Sequence, residues 1–160
     1  MLNPNQWLDC DDEMKMGSFI EKFTDERALR TFALLNGQAV TDHLVDARSR
    51  DALDIVANAY LNGEVDRTVL ETAYQNADAA YDDISAAHMS DDDPTDAEAL
   101  IENAAMVAMW TAYPVGYTGV TPLQSAQDAA LHTAFYCFQM LGMQALEEQV
   151  PRFRESGLVQ

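Results

Sequence analysis

The pair with the clearest catalytic spacing is Asp128 and His132, which lie four positions apart. A helix would direct both side chains to one face, where they could hold a metal or act as an acid–base pair. The surrounding sequence is the least polar part of the chain, so a hydrogen bond between them that braces the core is the favoured interpretation. No Glu-x-x-His partner accompanies the pair, and a di-iron bundle site is therefore not supported.

A second cluster contains His88, Asp96 and the acidic run Asp91, Asp92 and Asp93. It lacks the glycine and the final glutamate of an EF-hand loop, so the sequence does not predict a specific calcium site.

The two cysteines, Cys10 and Cys137, are far apart and belong to no CxxC or Cys/His motif, which argues against zinc and against a disulfide scaffold. Neighbouring aspartates disfavour a thiolate at Cys10, and the aromatic neighbours of Cys137 favour burial. Nucleotide-binding, hydrolase and metalloprotease motifs are absent from the sequence. We therefore expect no catalytic residues, no metal site and no cofactor, and a protein that is not an enzyme.

The charge of the chain is unusual. The 160 residues carry 27 acidic and 9 basic side chains, a formal net charge of −18, while 48% of the residues are hydrophobic. Such a charge opposes direct binding to nucleic acid or to an anionic membrane and favours a basic protein partner. Lysine is scarce, with Lys15 and Lys22 alone, so adaptation to high salt remains an alternative source of the acidity. Neither a signal peptide nor a membrane span is indicated, which predicts a cytoplasmic location.

The elements that must position these residues are helices. Apolar residues recur at spacings of three and four, and no run alternates in the manner of a strand. The sequence predicts an all-α fold in one domain, residues 1–160: a compact bundle of about six or seven helices, with an irregular segment 1–12 and a tail 152–160. Asn36–Gly37 is predicted to end the second helix, Ser49 to cap a later one, and Pro151 to end the last. The predicted helices are 13–23, 25–35, 38–45, 49–62, 66–88, 95–113 and 121–148.

The acidic residues are concentrated in the first two-thirds of the chain. Residues 1–103 hold 23 acidic and 7 basic side chains, whereas residues 104–160 hold four and two. This predicts that the two C-terminal helices form a central apolar pair and that the preceding helices surround them with acidic surface. Glu71, Asp78 and Asp82 would lie on one face of the helix predicted at 66–88, at spacings that could imitate a nucleic-acid backbone. A merely solvated helix face is the competing interpretation.

Aromatic residues follow the apolar helix that ends near residue 113. Tyr117 stands in a loop rich in glycine and proline and could be an exposed anchor at an interface. Trp110 and Tyr113 could serve a partner in the same way or could cap the core of the bundle.

Several motifs resemble those of small helical proteins described as putative immunity proteins, which occur in bacteria and in related phage genes. The resemblance spans about residues 46–153. It rests on DARSRDAL at 46–53, AYLNGEV at 59–65, AAY at 79–81, SAQDAAL at 125–131 with Phe135–Tyr136, and EQVPRF at 148–153. It implies a helical protein that neutralises a toxin or another protein by tight binding, without catalytic residues.

Together these patterns predict a non-enzymatic acidic inhibitor that occludes a basic surface on a nuclease, a toxin or another nucleic-acid-binding protein. Toxin immunity and phage-type anti-defence are two versions of this role. A salt-adapted structural or oligomer-forming helical protein is the alternative, and the sequence leaves homo-oligomer formation open. The predicted partner-binding residues are Glu71, Asp78, Asp82, Asp83, Asp91, Asp92, Asp93 and Tyr117.

Overall fold

The computed structural model describes residues 3–63, 66–88, 95–114 and 119–159. Within these ranges the chain forms seven α-helices and two short 3₁₀ helices, with no strand, which confirms the predicted all-α bundle. None of the helices in these ranges is long and apolar enough to cross a membrane. The 3₁₀ helices are Pro4–Asp9 and Thr41–His43, and the α-helices are α1 (Glu13–Ile20), α2 (Glu26–Ala39), α3 (Ala47–Asn62), α4 (Arg67–His88), α5 (Asp96–Thr111), α6 (Pro122–Leu141) and α7 (Met143–Glu155).

Local sequence signals set several of the helix ends. Thr95 and Glu98 form the predicted capping box at the start of α5, in which each side chain accepts from the other residue's backbone N–H. The Thr121 side chain accepts from the backbone N–H of Gln124 at the start of α6, which has proline in its first turn. Gly63 ends α3 with φ +103°, a conformation that a residue without Cβ adopts readily.

The predicted cap at Ser49 is wrong. The Asp46 carboxylate accepts from the Arg48 backbone N–H at 2.8 Å and caps α3, so the cap lies three residues earlier than predicted. Ser49 lies inside α3 and is buried. Both Asp and Ser favour N-cap positions, and the sequence alone offers no preference between these two.

The predicted end of the second helix at Asn36–Gly37 is also wrong, because α2 continues to Ala39. Asn36 is fully buried: its Nδ2 donates to Thr133 Oγ1 at 3.4 Å, and its Oδ1 accepts from Arg152 at 2.9 Å. Gly37 lies where α2 approaches α5 closely, since a Cβ at this position would be 2.6 Å from Thr111 Oγ1. Contacts with other helices therefore explain why Asn36 and Gly37 lie inside α2 and do not end it.

The last predicted helix is two helices. Gly142, at φ +60°, separates α6 from α7, and Pro151 lies inside α7 instead of ending it. Proline within a helix removes a hydrogen bond and typically costs about 3 kcal/mol. The helix continues because Phe153, two residues later, is fully buried.

The two chain ends, predicted as an irregular segment and a tail, are parts of the core. Trp7 in the first 3₁₀ helix is fully buried, and its Nε1 donates to Gln149 Oε1 at 2.8 Å. The Phe153 ring stacks on Phe32 with centroids 4.3 Å apart and meets the Trp7 ring edge-on at 5.1 Å. These contacts join both chain ends to α2.

The centre of the bundle is α6, which packs against α1, α2, α5 and α7. The prediction of a central α5–α6 pair is incomplete, because α2 packs against α3, α5, α6 and α7 and also occupies the interior. By contrast, α4 packs on α3 and α5 and lies at the edge of the bundle. One side of α4 consequently faces outward.

Candidate functional site

The outward side of α4 carries three carboxylates, Glu71, Asp78 and Asp82, which we call the acidic face. Glu71 and Asp82 are exposed and Asp78 is half-buried. The opposite side of the helix is buried and consists of Leu70, Ala73, Ala77 and Ala80. With a rise of about 1.5 Å per residue, Asp78 lies about 10 Å along the axis from Glu71 and about 6 Å from Asp82.

Repulsion between carboxylates is visible on the acidic face. Partial burial raises the pKa of Asp78, and the nearby Asp82 carboxylate raises it further. Among the residues described, no ion pair joins Glu71, Asp78 or Asp82 to a cation. A positive group from a partner would therefore relieve repulsion that the fold itself leaves in place.

Asp83 differs from these three because an arginine of the same chain contacts it. Arg48 Nη2 lies 2.7 Å from Asp83 and 2.8 Å from Asp46, so one guanidinium bridges α3 and α4. The hydrogen bond from Arg48 also lowers the pKa of Asp46. Asp83 thus belongs to an internal ion-pair network and contributes less net charge than the sequence suggests.

The remaining predicted partner-binding residues, Asp91, Asp92, Asp93 and Tyr117, lie outside the described residues. The two aromatic residues that precede Tyr117, Trp110 and Tyr113, lie within the described part of the chain. Tyr113 packs against Trp110 with centroids 4.7 Å apart and against Tyr74 of α4 at 5.6 Å. Trp110 and Tyr113 therefore join α5 to α4, in agreement with the core-capping interpretation.

Asp128 and His132 do not form the predicted hydrogen bond. Asp128 Oδ1 accepts from Gln124 at 2.9 Å, while the His132 ring stacks on Trp110 with centroids 4.0 Å apart. His132 Nδ1 instead lies 3.6 Å from a Glu13 carboxylate oxygen, and burial lowers the pKa of the imidazole. Among the described residues, no three His, Cys, Asp or Glu side chains come together in a way that could hold a metal ion.

A cavity that the sequence did not predict lies between α2, α3, α4 and the start of α6. Its volume is about 420 Å³, within the range of small-molecule sites. Glu26, Arg27 and Arg30 from α2 line one side, and Tyr60 and Arg67 line another. Three of the chain's nine basic residues thus meet in one cavity of a protein with net charge −18.

Arg30 is the most buried of these cations, with 4% of its surface exposed. Its guanidinium donates to the backbone oxygens of Tyr113 and Pro114 and to Ser125 Oγ, and Ser125 in turn donates to the Pro114 oxygen. Burial lowers the pKa of Arg30. No carboxylate among the described residues forms an ion pair with Arg30, so neutral oxygen atoms hold its charge in place.

Only a weak signal in the sequence indicates this cavity. Arg27 and Arg30 are three positions apart and begin a stretch, residues 27–41, that contains no acidic residue. Tyr60 and Arg67, however, reach the cavity only because α3 turns back at Gly63 and packs with α4 against α2 and α5.

Comparisons with protein-family models, with curated proteins and with solved structures found no match to this chain.

Proposed function

We propose that this protein is a non-enzymatic acidic inhibitor that binds and occludes a basic surface on a protein partner. The observation that carries the proposal is the acidic face, on which Glu71, Asp78 and Asp82 lie on the outward side of α4 and form no ion pair with any cation in the described part of the chain. The resemblance to putative immunity proteins favours a toxin or a nucleic-acid-processing protein as the target.

The surroundings of the acidic face extend its negative field. Residues 46–88 carry nine acidic and three basic side chains, a net charge of −6. On α3, Asp51 and Asp54 are exposed, so negative charge continues onto the helix beside α4. A field of this size steers a basic partner toward the face and accelerates association, and salt weakens the effect.

The geometry of α4 also suits mimicry of a nucleic acid. The separations of about 6 Å and about 10 Å between its carboxylates are close to two and three times the phosphate spacing of about 3.4 Å along one strand. A groove that binds phosphates with Lys and Arg could therefore meet carboxylates at several of the same positions. The partner would then lose access to its nucleic acid through steric and electrostatic occlusion.

The test compares two variants of equal net charge. One carries Glu71→Gln, Asp78→Asn and Asp82→Asn, and the control carries Glu21→Gln, Asp42→Asn and Glu147→Gln at exposed positions elsewhere. Each exposed ion pair contributes about 0.2–1 kcal/mol, so losing three should weaken binding about 3-fold to about 150-fold. The control should bind as the parent does.

The measurement is displacement of a labelled DNA duplex from a histone-like protein and of labelled RNA from a basic ribonuclease, followed by fluorescence anisotropy at 50 and 200 mM salt. Equal losses in both variants would show that total charge, not the acidic face, drives the displacement. Failure of the parent protein to displace either nucleic acid at 50 mM salt would remove the support for mimicry.

The salt-adapted structural protein is the alternative, and it makes an opposite prediction about stability. If the acidity serves salt adaptation alone, the fold should lose most of its stability when the salt is removed. An inhibitor that works at ordinary ionic strength should keep a cooperative thermal transition in 10 mM buffer, which circular dichroism can follow.

A further inference from the structure

We propose that the cavity between α2, α3 and α4 binds a small organic anion, with a carboxylate or phosphate group held by Arg27, Arg30 and Arg67 and an apolar body against Leu70. The cavity is lined by basic residues and is distinct from the acidic face, so this proposal does not depend on the inhibitor function.

The charge of the lining points to an anion. Among the described residues, three arginines and one carboxylate, Glu26, line the cavity, so this part of the lining is net positive in a strongly negative protein. Arginine presents a planar set of donors that matches the oxygen atoms of carboxylate and phosphate groups.

The three arginines differ in burial and would contact an anion from different sides of the cavity. Arg30 is buried and fixed by three neutral oxygen acceptors, so its charge is preorganised in the lining of the cavity. Arg27 is exposed, and its Nη2 donates to the backbone oxygen of Tyr60 at 3.4 Å, which connects α2 to the end of α3. Arg67 is exposed and stands in the first turn of α4, on the other side of the Gly63 turn.

Two further groups add to the preference for an anion. The Tyr60 phenol lines the cavity and, like any tyrosine at neutral pH, can donate a hydrogen bond; burial raises its pKa further. Pro122, the first residue of α6, also lines the cavity, and the 20-residue helix directs the positive end of its dipole toward this region. Ala59 and Leu70 supply apolar surface for the rest of a ligand.

Because carboxylate and phosphate groups share this recognition, the experiment tests both on the same organic body. The probes are benzoate and phenyl phosphate, with benzamide as the neutral control and benzylamine as the cationic control. Each is titrated into the full ¹⁵N-labelled chain while amide chemical shifts are recorded. We expect saturable shifts with one or both anions, centred on the amides of residues 26–30, 59–63 and 67–70, and none with benzamide or benzylamine.

Two double variants of equal net charge separate the effect of the cavity arginines from the effect of the total charge. Arg27→Gln with Arg67→Gln removes the two exposed cations of the cavity, whereas Lys22→Gln with Arg154→Gln removes two exposed cations elsewhere. Because hydrogen bonds to charged groups contribute more than neutral ones, the first variant should bind the anion about tenfold or more weakly and the second should bind as the parent does. Circular dichroism confirms that each variant is folded before titration.

Arg30→Lys provides a second measurement, because it keeps the buried charge but removes the planar donor set. It should weaken the binding of the anion at least severalfold in the folded protein. The proposal is overturned if benzamide binds as tightly as benzoate, if neither anion gives saturable shifts at the cavity, or if the two double variants bind equally. Tighter binding of phenyl phosphate than of benzoate would assign a phosphate ligand, and the reverse order a carboxylate.

Discussion

Replacing Gly37 with alanine tests how closely α2 and α5 approach. A Cβ at residue 37 would lie 2.6 Å from Thr111 Oγ1 and 2.8 Å from Leu53 Cδ2, closer than real Cβ contacts. Thr111 and Leu53 are both buried, so neither can move away without disturbing the core. The same substitution at Gly17 would place Cβ 3.6 Å from Leu131 Cδ2, an ordinary van der Waals contact. The two variants are therefore a matched pair with opposite expected signs.

The magnitude at Gly37 follows from three contributions. Overpacking a filled core costs about 1–3 kcal/mol. Displacing the Thr111 hydroxyl from the Val107 backbone oxygen, to which it donates at 2.8 Å, costs about 0.5–1.5 kcal/mol. Alanine gains about 1 kcal/mol over glycine inside a helix. The net expectation is a loss of about 0.5–3.5 kcal/mol for Gly37→Ala, against a gain of about 0.5–1 kcal/mol for Gly17→Ala.

Urea unfolding followed by circular dichroism measures both changes, provided that the slope with urea is the same in all variants. A double variant, Gly37→Ala with Thr111→Ala, removes the closest clashing atom, Thr111 Oγ1, and leaves Leu53 Cδ2 in place. It should be more stable than the sum of the two single changes implies, by at least about 0.5 kcal/mol. If Gly37→Ala stabilises the protein as Gly17→Ala does, or if the double variant shows simple additivity, the close approach of the two helices is refuted.

Two further predictions concern the aromatic core and the acidic face. Phe153→Ala should lower the free energy of unfolding by about 3–5 kcal/mol, because Phe153 is fully buried and stacks on Phe32. Met143 lies on the same helix and is 51% exposed, so Met143→Ala should change the free energy of unfolding by less than about 1 kcal/mol in the same urea experiment. If both variants show equally small changes, residues 152–160 are a tail and not part of the core. Because the pKa of Asp78 is raised in the folded state, the folded state binds this proton more tightly than the unfolded state does. Ionised Asp78 therefore destabilises the fold at neutral pH. This penalty disappears as the pH falls toward about 3.9, the ordinary pKa of an aspartate in an unfolded chain. Asp78→Asn should accordingly be more stable than the parent at pH 7 and lose that advantage near pH 3, whereas an equal advantage at both pH values would contradict the role of the charge.

Local chemistry made part of the fold predictable. The capping box at Thr95 and Glu98, the Thr121–Pro122 start and the Gly63 turn each depend on a few neighbouring residues, and each lies where the sequence predicts it. The acidic face was predictable for the same reason, because a helix fixes the directions of side chains seven and four residues apart. Glu71, Asp78 and Asp82 therefore share one side of α4.

The wrongly predicted helix ends have a different cause, which is long-range packing. Asn36, Gly37 and Pro151 are residues that often end helices, and each lies inside one here. For Asn36 the hydrogen bonds to Thr133 and Arg152 replace the solvent contacts that it would find in a turn. These partners are about 100 residues away in the chain, so no local pattern contains them. The same holds for the chain ends, whose burial depends on contacts between Trp7 and the distant Gln149 and Phe153.

The sequence by itself determined the helical class, the sites of several caps, the −18 charge and the row of outward carboxylates, because these depend on composition and on the period of the helix. Tertiary packing decided which carboxylates remain uncompensated, since Arg48 reaches Asp83 only across the α3–α4 contact. It also decided that Arg27, Arg30 and Arg67 meet at one cavity in an acidic protein. Such a meeting depends on the free energy of packing whole helices together, and no segment of the sequence contains that information alone.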